Sequence, residues 1–177
     1  MSRIPYPTLT PEQVEQHAKA RINLSHMMFH MPQKIRDGFS IAGKAMLFES
    51  EYDAKLRELI ILRVGYLSKC AYEEFQHRAY GKQCGLSDAQ IEAALTATIG
   101  APLTEREQAI LNFADDVILN VHPSDSSLAA AQKYLSHSEL FETLWIIGNY
   151  MFLARVIETA GIEIDADGAI VSNPDKN

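Results

Sequence analysis

Apolar positions along the chain recur three and four residues apart, which is the spacing of amphipathic helices. After Thr104, for example, Ile110, Phe113, Ala114 and Val117 share one helix face. No run of four to eight residues alternates cleanly between apolar and polar side chains, so strand evidence is weak. The pattern predicts an all-α protein with helices near 11–22, 32–48, 53–67, 70–83, 88–98, 105–121, 126–135 and 139–160.

Four of these helices begin with a capping box, in which a Ser or Thr side chain and a Glu or Gln three residues later cap each other's backbone amides. The first also has Pro11 at its first helical position, where a missing amide costs nothing. The other boxes predict helix starts just after Ser87, Thr104 and Ser136.

The helices are separated by short polar breaks, and no linker or repeat divides the chain, so residues 1–177 are predicted to form a single domain. The segment 139–160 leaves little room for a polar face. A helix that is apolar nearly all round must be buried on most sides, either in the core or against another subunit. The residues after Ile164 are acidic and polar, and we expect an ordered or frayed tail there.

Composition narrows the classes of function. The chain is 47% hydrophobic and 22% charged, which excludes disorder, and its net charge of −7 disfavours nucleic acid and anionic membranes as partners. Two cysteines suit a reducing compartment. The N-terminus lacks an apolar signal stretch, and the longest apolar runs, Leu59–Leu67 and Leu144–Ala154, are shorter than the roughly 20 residues of a membrane span. These features predict a soluble, cytoplasmic protein.

The candidate chemistry lies in residues 58–77. In a helix from residue 70, Cys70, Glu73 and His77 share one face over two turns. A helix N-terminus would lower the pKa of the Cys70 thiol, and an apolar setting would raise the pKa of an unpaired Glu58. Each residue also has a plain interpretation. Glu73 and His77 can form a solvated helix pair, Cys70 can be a small buried hydrophobe, and Glu58 can be a surface residue.

The spacing of these residues resembles the carboxymuconolactone decarboxylase and AhpD-like superfamily. Its pattern is a glutamate, a Cys-x-x-Cys twelve residues later, and a histidine four residues beyond. Glu58, Cys70 and His77 match the glutamate, the first cysteine and the histidine. The segment 85–91 and the stretches 105–107 and 144–156 extend the resemblance over most of residues 30–162. It implies an AhpD-like helical bundle with its core motif region at about 45–125 and a C-terminal core or interface helix at about 139–160.

One position departs from the peroxidase pattern, because Glu73 stands where the second cysteine would be. In AhpD-like peroxidases that cysteine attacks the hydroperoxide and then forms a disulfide with the first. The unit from Glu73 to His77 instead resembles the decarboxylase branch, whose known reaction is a cofactor-free acid–base decarboxylation. Cys84 is no substitute. It follows Cys70 by fourteen residues, about 21 Å along a continuous helix, whereas disulfides need Cα atoms roughly 4.4–6.8 Å apart.

A metal site could be sought at His17, His26 and His30, but no carboxylate accompanies them at a useful spacing. The Met and Phe residues between 27 and 31 are typical of helix packing. We therefore predict no metal and no cofactor.

Three functions follow from the sequence and its resemblance. The leading hypothesis is a cofactor-free acid–base enzyme that acts on a small carboxylated or cyclic organic acid. In it, His77 donates or accepts the proton, Glu73 orients or partners the imidazole, and Cys70 and Glu58 complete a proton relay. The second is a thiol antioxidant in which Cys70 is oxidised and an external thiol reduces it. The third is a non-catalytic oligomer that binds a small molecule. The resemblance also implies a homotrimer or homohexamer.

Overall fold

The computed structural model describes residues 1–166, and these form an all-α fold, as predicted. The predicted tail falls largely on residues 167–177, which lie outside the described part. The helices are α1 Pro11–Ala20, α2 Asn23–Met27, α3 Gln33–Lys44, α4 Ala54–Ser68, α5 Ala71–Gln83, α6 Asp88–Ala94, α7 Glu105–Asn120, α8 Asp125–Ala131 and α9 His137–Ala160, with a 3₁₀ turn at Met28–His30 and a π-helical turn at Ala45–Glu49.

The four predicted capping boxes are present at the starts of α1, α6, α7 and α9. In each, the side chain of the N-cap residue accepts a hydrogen bond from the backbone amide three residues later, and that residue's side chain accepts one from the N-cap amide. These signals need only neighbouring residues, so they could be recognised in the sequence.

Four helices end earlier than predicted: α1, α3, α6 and α8, of which α8 ends at Ala131 rather than at 135. Helix α1 ends at Ala20 because Arg21 takes the left-handed conformation, and the short helix α2 follows. Helix α3 becomes a π-helical turn at residue 45 instead of continuing to 48. Helix α6 ends at Ala94 rather than at 98, since the carbonyls of Ala94 and Thr96 accept hydrogen bonds from the Arg63 side chain of α4.

The central helix of the fold is α4, which packs against α5, α6, α7 and α9. Every residue of α4 from Leu56 to Gly65 is buried, and Arg57, Glu58 and Arg63 are among them. Three buried charges on one helix require partners, because an unpaired charge in the protein interior is expensive. Two of these charges belong to the candidate site, and Arg63 binds the loop after α6 and Asp115 of α7.

The C-terminal helix was expected to lie in the core or against another subunit, and in the single chain one of its faces is buried. In contrast, Phe141 of α9 is 72% exposed and Trp145 is 49% exposed. The apolar runs in the sequence were too short to predict a membrane span. Judged by its whole length and composition, however, α9 is long and apolar enough to cross a membrane. Half of the most apolar stretch of α9 is buried inside the protein, and core helices can have the same length and composition.

We predict that the exposed apolar face of α9 is covered by further copies of the chain. Light scattering should give a mass of about three or six times that of the 19.8 kDa chain. The double variant Phe141→Glu and Trp145→Glu should shift the protein towards smaller oligomers, whereas Val14→Glu on α1 should not. A wild-type mass equal to one chain would contradict the prediction.

Candidate active site

The candidate site is built by α4 and α5, which form a helical hairpin. Helix α4 ends at Lys69 in the left-handed conformation, and Cys70 is the N-cap residue of α5. Two glycines lie at the contact between the helices. A Cβ atom at Gly65 of α4 would lie 3.4 Å from the Cβ of Glu73, and one at Gly81 of α5 would lie 3.8 Å from the Cβ of Glu58. This close packing places the Glu58 side chain of α4 against α5.

Four buried side chains form a continuous chain of polar contacts, which we call the carboxylate–imidazole chain: Arg57, Glu58, His77 and Glu73. The Nε of Arg57 donates to Glu58 Oε1 over 3.1 Å, and Nδ1 of His77 lies 2.7 Å from Glu58 Oε2. On the other side of the ring, His77 Nε2 lies 3.5 Å from Oε2 of Glu73. The structure therefore brings together three of the four predicted site residues.

His77 and Glu73 compete for protons near neutral pH. Burial acts to lower the pKa of His77, but the charge and hydrogen bond of Glu58 outweigh it, and the pKa is raised above its ordinary value. Burial raises the pKa of Glu73 to about 7, although the nearby His77 opposes this shift. A carboxyl group and an imidazole with such pKa values can exchange a proton at physiological pH.

Glu73 has a free polar atom in this arrangement, whereas both ring nitrogens of His77 face carboxylates. The Oε1 atom of Glu73 is buried and has no hydrogen-bond partner. The His77 ring is also held by aromatic neighbours, with the Tyr150 ring perpendicular to it at a centroid distance of 4.9 Å. The geometry thus fixes the imidazole and leaves Glu73 able to meet another molecule.

Cys70 lies beside the carboxylate–imidazole chain, and its thiol accepts a hydrogen bond from the backbone amide of Glu73. Burial is the largest cause that raises the pKa of the Cys70 thiol to about 12; the charges of Glu73 and Glu158 also raise it, and the hydrogen bond from the Glu73 amide opposes the shift. The expectation of a lowered pKa was therefore wrong. The local helix N-terminus acts as expected, but desolvation of the thiolate is the larger effect.

Cys84 lies at the other end of α5, where it is the C-cap residue, and both cysteines are free thiols. We predict that hydroperoxide treatment followed by intact-mass measurement will give no internal Cys70–Cys84 disulfide. Sustained hydroperoxide turnover with a dithiol reductant, lost in Cys84→Ser, would contradict this prediction. The variant Cys70→Ser distinguishes a one-cysteine reaction from the disulfide mechanism.

Two of the three N-terminal histidines hold the start of the chain in place, and the third joins α1 to α2. His26 and His30 place Nε2 within 3.0 Å and 2.8 Å of the carbonyl oxygens of Pro7 and Pro5. His17 lies 3.0 Å from the Ser25 hydroxyl. Among residues 1–166, no three His, Cys, Asp or Glu side chains are grouped as metal ligands.

Sequence reasoning assigned no role to Arg57 and Tyr150. Arg57 is a buried cation next to Glu58, and it also donates to the Met46 carbonyl in the π-helical turn. A charged pair at the start of an apolar run was the signal that could have identified it. Tyr150 has no comparable signal, because its contact with His77 joins residues far apart in the sequence.

Comparisons with known proteins agree with this architecture. Residues 34–116 match the carboxymuconolactone decarboxylase family. No curated protein sequence matches the chain. An uncharacterized peroxidase-related protein from Ralstonia eutropha JMP134, an alkylhydroperoxidase AhpD core, has 18% identity and a TM-score of 0.79 over 94% of this chain and 93% of its own.

Two further solved structures are similar. A peroxidase-related protein from Silicibacter sp. TM1040 has 17% identity and a TM-score of 0.77, covering 94% of this chain and 92% of its own. The debrominase Bmp8, in complex with 2,3,4-tribromopyrrole, has 16% identity and a TM-score of 0.75, covering 94% of this chain and 95% of its own. At these identities the structures show a shared fold. The chain therefore has an AhpD-like fold, and its residues 34–116 are similar to the carboxymuconolactone decarboxylase family.

Proposed function

We propose that the protein is a cofactor-free acid–base enzyme that acts on a small carboxylated or cyclic organic acid. The observation that carries this proposal is the unpartnered Oε1 of Glu73 at the end of the carboxylate–imidazole chain. A general acid needs a proton that it can release near the working pH, and Glu73 has a pKa of about 7. Relatives of this fold include peroxidase-related proteins and a debrominase, so the fold by itself leaves the chemistry open.

For a carboxylated substrate, the proposed step is a decarboxylation. The bond between carbon and carboxylate breaks, CO₂ leaves, and the electron pair remains on carbon as an enolate conjugated to a neighbouring carbonyl. Glu73 Oε1 then donates its proton to that carbon. His77, held as an imidazolium by Glu58 and its partner Arg57, then passes its Nε2 proton to Oε2 of Glu73, and a proton from solvent restores the imidazolium. This refines the sequence hypothesis, in which His77 met the substrate directly.

Because the site is buried, the protein must open before a substrate can bind. Glu58, Glu73 and His77 are each at most 5% exposed, so the substrate reaches Glu73 only if neighbouring side chains move. A closed site also strengthens the charges inside it, because water does not screen them. The proposal therefore includes an opening step before the proton transfer.

The first experiment is a panel of small lactone acids and 2-oxo or 3-oxo acids, assayed for CO₂ release without added metal, cofactor, thiol or peroxide. We expect turnover of at least one member by the wild type and by Cys70→Ser. Because the thiol pKa of about 12 leaves little thiolate at neutral pH, the antioxidant hypothesis is disfavoured. Activity that requires peroxide and a thiol, and that is lost in Cys70→Ser, would favour that hypothesis instead.

The second experiment is the pH dependence of kcat/KM. If the protonated Glu73 is the proton donor, the rate should be highest below its pKa of about 7 and should fall about tenfold per pH unit above it. A rate that rises through this range would contradict the donor role. A substrate whose own carboxyl group titrates well below pH 5 keeps the two effects separate.

A further inference from the structure

A cavity lies between α1, α2 and α3, and the core helix α9 also contributes to its lining. This N-terminal cleft has a volume of about 430 Å³, within the range of small-molecule sites. Its apolar wall is formed by Leu24, Met28, Phe29, Phe39 and Leu153, with Leu153 contributed by α9. No residue of the carboxylate–imidazole chain lines it, so the cleft is separate from the candidate active site.

Arg36 places a positive charge in this apolar setting. Its guanidinium lies 4.3 Å from the centroid of the Phe29 ring and makes one long hydrogen bond, 3.5 Å, to the Met31 carbonyl. Within residues 1–166, Arg36 has no carboxylate partner. A guanidinium over an aromatic ring has N–H groups that can still bind a carboxylate with two parallel hydrogen bonds.

The other polar groups of the cleft favour a ligand with a single negative charge. Burial lowers the pKa of His17, and the neighbouring His26 lowers it further, so His17 is neutral at pH 7. The Ser25 hydroxyl donates to the Ile22 carbonyl and therefore accepts from His17 Nδ1. Asp37, which also lines the cleft, is an exposed negative charge that would repel a second anionic group.

We propose that the N-terminal cleft binds a small aromatic monocarboxylate, with its ring against Phe29, Phe39 and Leu153 and its carboxylate on the Arg36 guanidinium. The flat ring suits an apolar wall that already contains two phenyl groups. This site does not depend on the proposed acid–base function, since none of its residues takes part in the proton transfer.

The test is a calorimetric titration of the full chain with benzoate, with benzamide as the uncharged analogue. Benzoate should bind saturably with a Kd of about 1 mM or tighter. Benzamide should bind at least about tenfold more weakly, because it cannot pair with Arg36. Arg36→Gln should weaken benzoate binding by at least about tenfold, whereas Lys34→Gln, on the same helix but outside the cleft, should leave it unchanged.

Two further variants test whether a loss of binding comes from misfolding and whether benzoate binds at another site. Ser40 lines the cleft and is exposed, so Ser40→Trp should fill the cleft and abolish binding while the far-UV circular dichroism stays that of the wild type. His77→Gln should bind benzoate as the wild type does, even if it is inactive. Equal affinity for benzoate and benzamide, equal losses in Arg36→Gln and Lys34→Gln, or no saturable binding would overturn the proposal.

Discussion

A Glu73→Gln protein should fold as the wild type does and should lose about 10²- to 10⁴-fold of the decarboxylase activity. Gln has the size of Glu but cannot donate a proton to carbon at neutral pH. His77→Gln should lose at least about 100-fold, because the proton lost from Glu73 is no longer replaced from the imidazole. The measurement is kcat/KM on the best substrate of the organic-acid panel.

The matched control is Glu74→Gln. Glu74 is the next residue on α5 and is partly exposed, so its replacement removes a carboxylate without touching the carboxylate–imidazole chain. We expect its activity to stay within about twofold of the wild type. If Glu73→Gln kept full activity in a folded protein, Glu73 would not be the donor, and the proposed mechanism would fail.

Stability distinguishes a catalytic Glu73 from a structural one. Its pKa is raised from 4.5 to about 7 in the folded protein, so the folded state binds the proton more tightly than the unfolded chain does. The stability that this proton confers is full below pH 4.5 and is lost as the pH rises through about 7. Glu73→Gln lacks this loss and should be at least as stable as the wild type at pH 8. A structural role would predict a less stable, fully active variant.

The largest loss of stability is expected at Arg63, which is only 2% exposed. Its Nε and one terminal nitrogen contact the two carboxylate oxygens of Asp115 at 2.5 and 2.6 Å. The other terminal nitrogen donates to the carbonyls of Ala94 and Thr96. Arg63→Leu would leave all three partners without their cation, and removing one partner of a buried pair costs about 3–5 kcal/mol.

The free energy of unfolding of an ordinary domain is about 5–15 kcal/mol, so this loss is a large part of it. Arg63→Leu should therefore unfold at much lower denaturant concentrations than the wild type. The control is Arg106→Ala, which breaks a 2.7 Å contact with Asp53 in which both side chains are 37% exposed. That pair should be worth at most about 1 kcal/mol. Equal losses in the two variants, measured at one protein concentration, would show that burial of Arg63 is not decisive.

Local sequence was sufficient for most helices and for part of the site. A capping box needs residues three positions apart, and the pairing of Glu73 with His77 needs only the four-residue periodicity of a helix. The all-α class and the starts of α1, α6, α7 and α9 were confirmed for the same reason. The early end of α6 was missed because it depends on Arg63, 31 and 33 positions away from the carbonyls that it binds.

The protonation chemistry was decided by tertiary packing. Glu58 and His77 are 19 residues apart and meet only because α4 and α5 pack against each other as a hairpin, with Gly65 and Gly81 at their contact. The sequence correctly placed Cys70 at a helix start, but the sign of its pKa shift depends on burial, which the neighbouring helices impose. The sequence by itself therefore determined which groups lie on each helix face. The tertiary structure decided which groups are desolvated and paired, because the cost of burying a charge depends on everything packed around it.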